Sequence, residues 1–276
     1  MKPKIYFHSR GLTMTTSPSV AVITGASSGI GAVYAERFAA RGYDLLLVAR
    51  REDRLRELAA KLESLHGINV QTLTADLAKE GGMQAVEEAL RSNERISVLV
   101  NNAGVAHLAP FVANNAALHQ ADITLNITAL TRLSLAALVH FQAQNSGTLI
   151  NVASVVSLHA RAGSSVYSGT KGYVLNFTRG LQEEVAGTNV KIQAVLPAMT
   201  ATEIWEVSGV SMENLPPAAI MTTENLVDAA LSGLDQGEAV TIPPLHDLSK
   251  WEAYESARLA VFESCLTGVP APRYQK

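Results

Sequence analysis

The chain has 276 residues and a formal net charge of −3. Hydrophobic residues make up 47% and charged ones 17%, a balance that excludes a disordered chain and provides for a large buried core. No basic cluster is dense enough for nucleic acid, and the single cysteine, Cys265, excludes an internal disulfide and suits a reducing, cytoplasmic setting.

Residues 1–19 hold Lys2, Lys4 and Arg10 without an acid or a secretory-length apolar stretch, and read as a flexible N-terminal extension. From Val20 onward, strand-sized apolar runs alternate with helical segments. Strands are expected at Val20–Ile23, Asp44–Ala49, Val70–Thr74, Ile96–Val100, Thr148–Ala153, Lys191–Leu196 and Ala239–Ile242. Helices are expected at about Ile30–Arg41, Glu52–Leu65, Met83–Arg91, Ala121–Gln142, Ser165–Ala186 and Thr223–Leu234. Nearly continuous apolar strands alternating with helices predict a single α/β domain over 20–276, a Rossmann-like doubly wound parallel sheet with helices on both faces.

Two stretches depart from this rhythm. Segment 198–221 gathers Pro216 and Pro217 with Ile204, Trp205, Val207, Val210, Met212 and Leu215, and reads as a flap over a substrate pocket. A tail helix over 246–266 sets Leu248, Trp251, Tyr254, Val261, Phe262 and Cys265 near one stripe, which predicts packing on the body or on a second subunit. No apolar run approaches the length of a membrane span, so no membrane partner is expected.

Candidate chemistry gathers at strand ends. Thr24-Gly25-Ala26-Ser27-Ser28-Gly29-Ile30-Gly31 follows the first strand and opens the first helix. Glycines there let the backbone approach a pyrophosphate, and the helix N-terminus supplies free N–H groups and partial positive charge. The spacing G-x-x-x-G-x-G differs from the G-x-G-x-x-G fingerprint, but the physical task is the same. After the second strand stand Arg50 and Arg51 where an acid would bind the ribose hydroxyl of NAD. A guanidinium pairs with a 2′-phosphate, so NADP(H) is expected over NAD(H), with Ser27 as a second phosphate contact. Asp76 and Leu77 end the third strand, toward an adenine edge. Asn101-Asn102-Ala103-Gly104 ends the fourth, where ligands sit in open α/β sheets.

Tyr167 and Lys171 stand four residues apart on a helix, one turn apart on one face. An ammonium beside a phenol favours the phenolate, so a lowered Tyr167 pKa is expected, suited to proton transfer in carbonyl and alcohol chemistry. By itself this spacing also arises by chance on surface helices. His107 and His159 lie near the same strand ends and read as surface or packing residues. No His/Cys/Asp spacing suggests a metal.

Together these motifs resemble the short-chain dehydrogenase/reductase family, in its compact form, over about Val20 to Ile242. The resemblance rests on Thr24 to Gly31, Asp76, Asn101 to Gly104, Asn126, Ser154, Tyr167 with Lys171, and Pro197 with Thr202, in the family's order. It implies an NADP(H)-dependent carbonyl reductase or secondary alcohol dehydrogenase acting on a small, mostly apolar molecule. By that resemblance Ser154 holds the substrate oxygen, Tyr167 is the acid/base, and Lys171 lowers the Tyr167 pKa and binds the nicotinamide ribose. Asn126 holds a relay water, Asn102 with Ala103 and Gly104 contacts the cofactor ribose, and Thr202 with the backbone after Pro197 fixes the carboxamide. Pro197-Ala198 replaces the family's frequent Pro-Gly, which leaves the path of the flap open. A catalytically silent NADP(H)-binding protein, or an isomerase or dehydratase on the same site, are the alternatives. The family pairs the helices at Ala121–Gln142 and Ser165–Ala186 across subunits, which implies a homodimer or homotetramer.

Overall fold

The structure, a computed structural model, describes residues 18–275 except 212 and 214. Of the expected N-terminal extension, all but Pro18 and Ser19 lies outside the described residues, as does Met212 of the flap. The first half runs β1 (Val20–Thr24), α1 (Gly29–Ala40), β2 (Asp44–Ala49), α2 (Glu52–His66), β3 (Val70–Thr74), α3 (Glu80–Ser92) and β4 (Ile96–Asn101). The second runs α4 (Ala116–Ile123), a π-helical turn (Thr124–Ala129), α5 (Leu130–Ala143), β5 (Gly147–Val152), α6 (Ser165–Glu184) and β6 (Val190–Val195). It ends with α7 (Ile204–Ser208), α8 (Thr223–Asp235), β7 (Val240–Thr241) and α9 (Leu248–Ser264).

The strands form one parallel sheet in the order β3-β2-β1-β4-β5-β6-β7. Chain direction across the sheet reverses between β1 and β4, where a doubly wound sheet leaves a crevice at its C-terminal edge. Each strand's alternate residues face opposite layers. Ile23, Leu45, Leu47 and Val100 pack with Tyr34 and Phe38 of α1, Leu55 and Leu62 of α2, and Leu231 of α8. Val22, Leu46, Val48 and Leu99 pack with Val86 and Leu90 of α3 and with Leu133 and Phe141 of α5. Both faces are covered, which is why β1 and β2 are apolar throughout.

Several expectations need correction. The helix expected from Ala121 starts at Ala116, where the Asn115 side chain accepts the Leu118 N–H, and runs without a break to Ala143. That 28-residue rod is long and apolar enough to cross a membrane, contrary to the reading that no run approaches that length. Here it is a core helix, with Leu133, Ala136, Ala137 and Phe141 buried under the sheet. The flap contains α7, and β7 has only two residues. On α9 no residue is buried. Only Trp251, Glu255 and Arg258 are half-covered, with the Arg179 guanidinium 5.5 Å from the Trp251 ring and ion-paired to Glu255. Phe262 continues that face one turn beyond Arg258, and Val261 lies to one side of it, but the cover ends at Arg258 and both stay exposed.

Asp44 ties the far end of the sheet. Its buried carboxylate accepts the Asn69 N–H at 2.9 Å and an Arg95 N–H at 2.8 Å, joining the starts of β2, β3 and β4. Burial works to raise its pKa, but the hydrogen bonds from Asn69 and Arg95 outweigh it and hold the carboxyl below its usual value. Its stabilising contribution is therefore complete above the unfolded pKa of 3.8 and is lost as pH falls toward the lowered native value. Asp44→Ala should cost about 2–4 kcal/mol in urea unfolding at pH 7. The deficit should shrink in acid; an unchanged urea midpoint at pH 7 would contradict this role.

Candidate active site

At the switch point, the ends of β1 and β4 are stitched together. The Thr24 hydroxyl donates to the Val100 carbonyl and accepts the N–H groups of Asn102 and Ala103, each at 3.0 Å. Asn102 Nδ2 donates back to the Thr24 carbonyl at 2.9 Å. The Asn102 amide, expected on a cofactor ribose, thus holds the glycine turn in place. A side chain at Gly31 would collide with the Gly25 carbonyl and lie 2.7 Å from Asn102 Nδ2, so only glycine lets helix and turn close up. Ser28 stands at the N-cap of α1 but makes no capping bond. The helix N-terminus therefore keeps its donors and its partial positive charge for an anion.

Beside this turn Arg51 is held in a fork of acceptors. Its guanidinium donates to Ser27 Oγ (2.9 Å), to Ser28 Oγ (2.7 Å) and to the Glu203 carboxylate (2.7 Å). Arg54, which the sequence reading missed, donates to the other Glu203 oxygen at 2.5 Å. Arg50 is exposed and has no hydrogen-bonded partner among the described residues. The 2′-phosphate role expected of the Arg50–Arg51 pair thus has built geometry only at Arg51. Asp76 Oδ1 accepts the Ala78 N–H within its own turn, while the Leu77 side chain is buried in the core. Only the backbone of Leu77 can face a nucleotide. Glycine cradle, uncapped helix end and guanidinium with two hydroxyls together fit a dinucleotide phosphate.

Above β5, four of the expected residues converge. Ser154 follows the strand and is buried; its hydroxyl donates to the Pro197 carbonyl at 3.2 Å and accepts the Val156 N–H. Tyr167 and Lys171 project from α6. Lys171 Nζ donates to the Val152 carbonyl at 2.8 Å and lies 5.8 Å from the centre of the Tyr167 ring. Asn126 sits in the π-helical turn, buried, with Oδ1 accepting the Val105 N–H and Nδ2 donating to the Val105 carbonyl and Thr170 Oγ1. Single π-turns inside an α-helix are frequent at functional positions. A methyl at Gly104 would lie 3.2 Å from Asn126 Oδ1 and 3.6 Å from Lys171 Nζ, so its absence leaves a small polar space between them.

The electrostatics correct one expectation. Burial pushes the Tyr167 phenol up to about 12, the Ser154 hydroxyl opposes it, and the Asp122 carboxylate adds to the rise. Lys171 does not lower it here, because its ammonium is turned to the Val152 carbonyl and the ring face. Burial pulls Lys171 itself down to about 8.

Several site residues were missed from sequence. Asp122, fully buried, accepts from His107 Nδ1 at 2.6 Å and so organises the loop after β4. Below the site, Asn101 donates to Ser134 and Asn151, and Asn151 to Thr178, a buried polar chain across β4, β5, α5 and α6. A helical pattern of isolated polar residues on apolar faces (Asp122, Ser134, Thr178) was the available signal. His159 is exposed. The flap closes across the glycine turn: Thr202 packs over Gly29, Thr200 bridges to Met221, and Ser208 accepts the Leu108 N–H. A cleft of about 740 Å³ between flap and α1 is lined by Ser28, Gly29, Thr202, Trp205 and Val210. None of Asn126, Ser154, Tyr167 and Lys171 lines it, so it belongs to the nucleotide side. Among the described residues no group of three or more His, Cys, Asp or Glu could hold a metal.

A doubly wound sheet with this glycine turn and a Ser/Tyr/Lys cluster defines an oxidoreductase of nucleotide-binding type. The chain belongs to the short-chain dehydrogenase family, whose model matches residues 19–211. The NADPH complex of a short-chain dehydrogenase from Sphingobium yanoikuyae is 46% identical, superposes with a TM-score of 0.90, and is covered completely by 94% of this chain. A bulky-bulky ketone specific alcohol dehydrogenase from Comamonas testosteroni is 38% identical with a TM-score of 0.87, over 95% of this chain and 100% of that one. Very-long-chain 3-oxoacyl-CoA reductase-A of Danio rerio is 31% identical over 212 residues, 74% of this chain and 65% of that protein.

A buried, depressed lysine makes a signed prediction. Between pH 8 and 10.5 the unfolded chain binds more protons at Lys171 than the native one, so this residue's cost to stability falls as pH rises. Lys171→Met should stabilise the fold at pH 7 by about 1–3 kcal/mol. Its advantage over the wild type should shrink by pH 10 in urea titrations; a destabilised variant at pH 7 would contradict a buried charged lysine.

Proposed function

We propose that this chain is an NADP(H)-dependent carbonyl reductase and secondary alcohol dehydrogenase for a modest-sized, mostly apolar substrate. The observation that carries the reading is the convergence of Ser154, Tyr167, Lys171 and Asn126 beside a glycine turn and an anion-binding arginine. The cofactor, when bound, supplies or accepts the hydride. The protein's own residues handle the oxygen and its proton.

Ser154 gives up its bond to the Pro197 carbonyl and donates to the substrate oxygen, fixing the carbonyl for attack. Tyr167, protonated throughout the neutral range, donates its proton to that oxygen as negative charge builds. Lys171, still cationic at pH 7, turns from the Val152 carbonyl toward the phenol oxygen only as charge appears there, and so stabilises the tyrosinate in the reacting complex though not in the free protein. Asn126, through the polar space over Gly104, connects Lys171 to the loop after β4, and a water held there restores the proton. In the oxidative direction the same groups run in reverse.

NADP(H) preference is supported by Arg51 between Ser27 and Ser28, and by the NADPH bound to the Sphingobium relative. The Comamonas relative, a bulky-bulky ketone specific alcohol dehydrogenase, supports an apolar ketone as substrate. Assembly as a homodimer or homotetramer through α5 and α6 accords with the exposed Leu135, Val139 and Tyr173 on those helices.

Tyr167→Phe should lower kcat by roughly 10²–10⁴-fold with NADPH and a test ketone. NADPH binding, read by fluorescence titration, should stay within about twofold of wild type. Wild-type turnover in the variant would remove Tyr167 from the mechanism. Arg51→Ala should cut the NADPH-over-NADH ratio of kcat/KM by about tenfold or more; an unchanged ratio would remove Arg51 from cofactor selection.

A further inference from the structure

Glu203 has no role in the chemistry above, yet its carboxylate is held by two guanidiniums beside the glycine turn. Its two carboxylate oxygens accept from Arg51 and Arg54, at 2.7 and 2.5 Å. Arg51 is at the same time bound to Ser27 and Ser28, the hydroxyls within the glycine turn. A phosphate monoester and a carboxylate present the same forked acceptor to a guanidinium. Glu203 comes from the flap: it follows Thr202, which packs over Gly29, and immediately precedes α7. The hydrogen bonds from Arg54 and Arg51 hold its carboxyl down at about 2, so it stays anionic and protonation cannot release it at any working pH. All three side chains are a third or more exposed, so water screens the pairs and a competing anion can displace them.

We propose that Glu203 is an internal stand-in for the cofactor's 2′-phosphate. It latches the flap to the end of β2 in the free protein and sets cofactor selectivity by competing with that phosphate for Arg51 and Arg54. The inference rests on the NADP(H) reading above. Binding of a 2′-phosphate unlatches the flap, whereas a nucleotide without that phosphate leaves Glu203 in place. Selectivity for the phosphorylated cofactor is therefore smaller than two arginines alone would give, and loading of the nucleotide is coupled to the freedom of α7.

The test uses adenosine 2′,5′-bisphosphate and 5′-AMP, which lack the nicotinamide and need no turnover. By calorimetry, Glu203→Gln and Glu203→Ala should bind the bisphosphate about 3–10-fold more tightly than wild type, with 5′-AMP affinity unchanged. Trp205, whose indole donates to the Thr200 carbonyl at 2.8 Å, reports the flap. In a Trp251→Phe background its emission should shift when wild type binds the bisphosphate but not 5′-AMP. Free Glu203→Gln should already show the shifted emission. If wild type prefers the bisphosphate but neither variant binds it more tightly or alters Trp205 emission, the latch is wrong and the NADP(H) reading stands. If neither wild type nor variant distinguishes the bisphosphate from 5′-AMP, the NADP(H) reading fails and the latch with it.

Discussion

The Thr24 hydroxyl holds the two halves of the sheet together where the strand order reverses. At that point β1 and β4 lie side by side but their following loops must part to leave a crevice. Parted loops expose backbone donors and acceptors in a nearly buried place, and each unpartnered group is costly. Thr24 and Asn102 satisfy them across the gap, so the glycine turn and the loop after β4 move as one piece. Three further parts of the site rest on that piece: Asn126 grips Val105, Lys171 faces Gly104, and Thr202 rests on Gly29.

A second constraint is desolvation. Lys171 is buried with its ammonium on a backbone carbonyl and, among the described residues, no carboxylate ion-paired to it, which is why its proton is weakly held. The same dryness keeps Tyr167 a neutral phenol. In free protein the pair is therefore set as an acid beside a loosely held cation, not as a preformed tyrosinate. In the proposed mechanism that setting favours proton donation to a developing alkoxide, where a dry site makes the cation's field most effective. The polar chain from Asn101 through Asn151 to Thr178 serves the floor of this site, fixing β4 and β5 where Ser154 begins.

The strand runs and the glycine turn were legible in the sequence because they depend on local pattern: apolar period, strand-turn-helix order, glycines where backbones touch. Ser154, Tyr167, Lys171 and Asn126 were legible through family spacing, and the structure brings them together. What escaped was long-range. Glu203 meets Arg51 across a separation of 152 residues, and nothing near either residue announces the pair. Asp122 looked like an ordinary polar residue on a helix until the loop after β4 folded over it. The Tyr167 shift was misread for a related reason: spacing says that an ammonium lies one turn away, but not which acceptor it chooses. On α9 the apolar stripe runs past the reach of the body, which covers it only from Trp251 to Arg258.

The central claim is that hydride passes directly between nicotinamide and a carbonyl carbon while Tyr167 handles the oxygen. Reduction of an apolar test ketone with NADPH carrying deuterium at C4, followed by mass spectrometry of the alcohol, tests it most directly. The account predicts one deuterium on the carbinol carbon per NADPH consumed, in wild-type protein. Alcohol formed without deuterium from either C4-labelled face, or product formed with no net NADPH consumption, would contradict it.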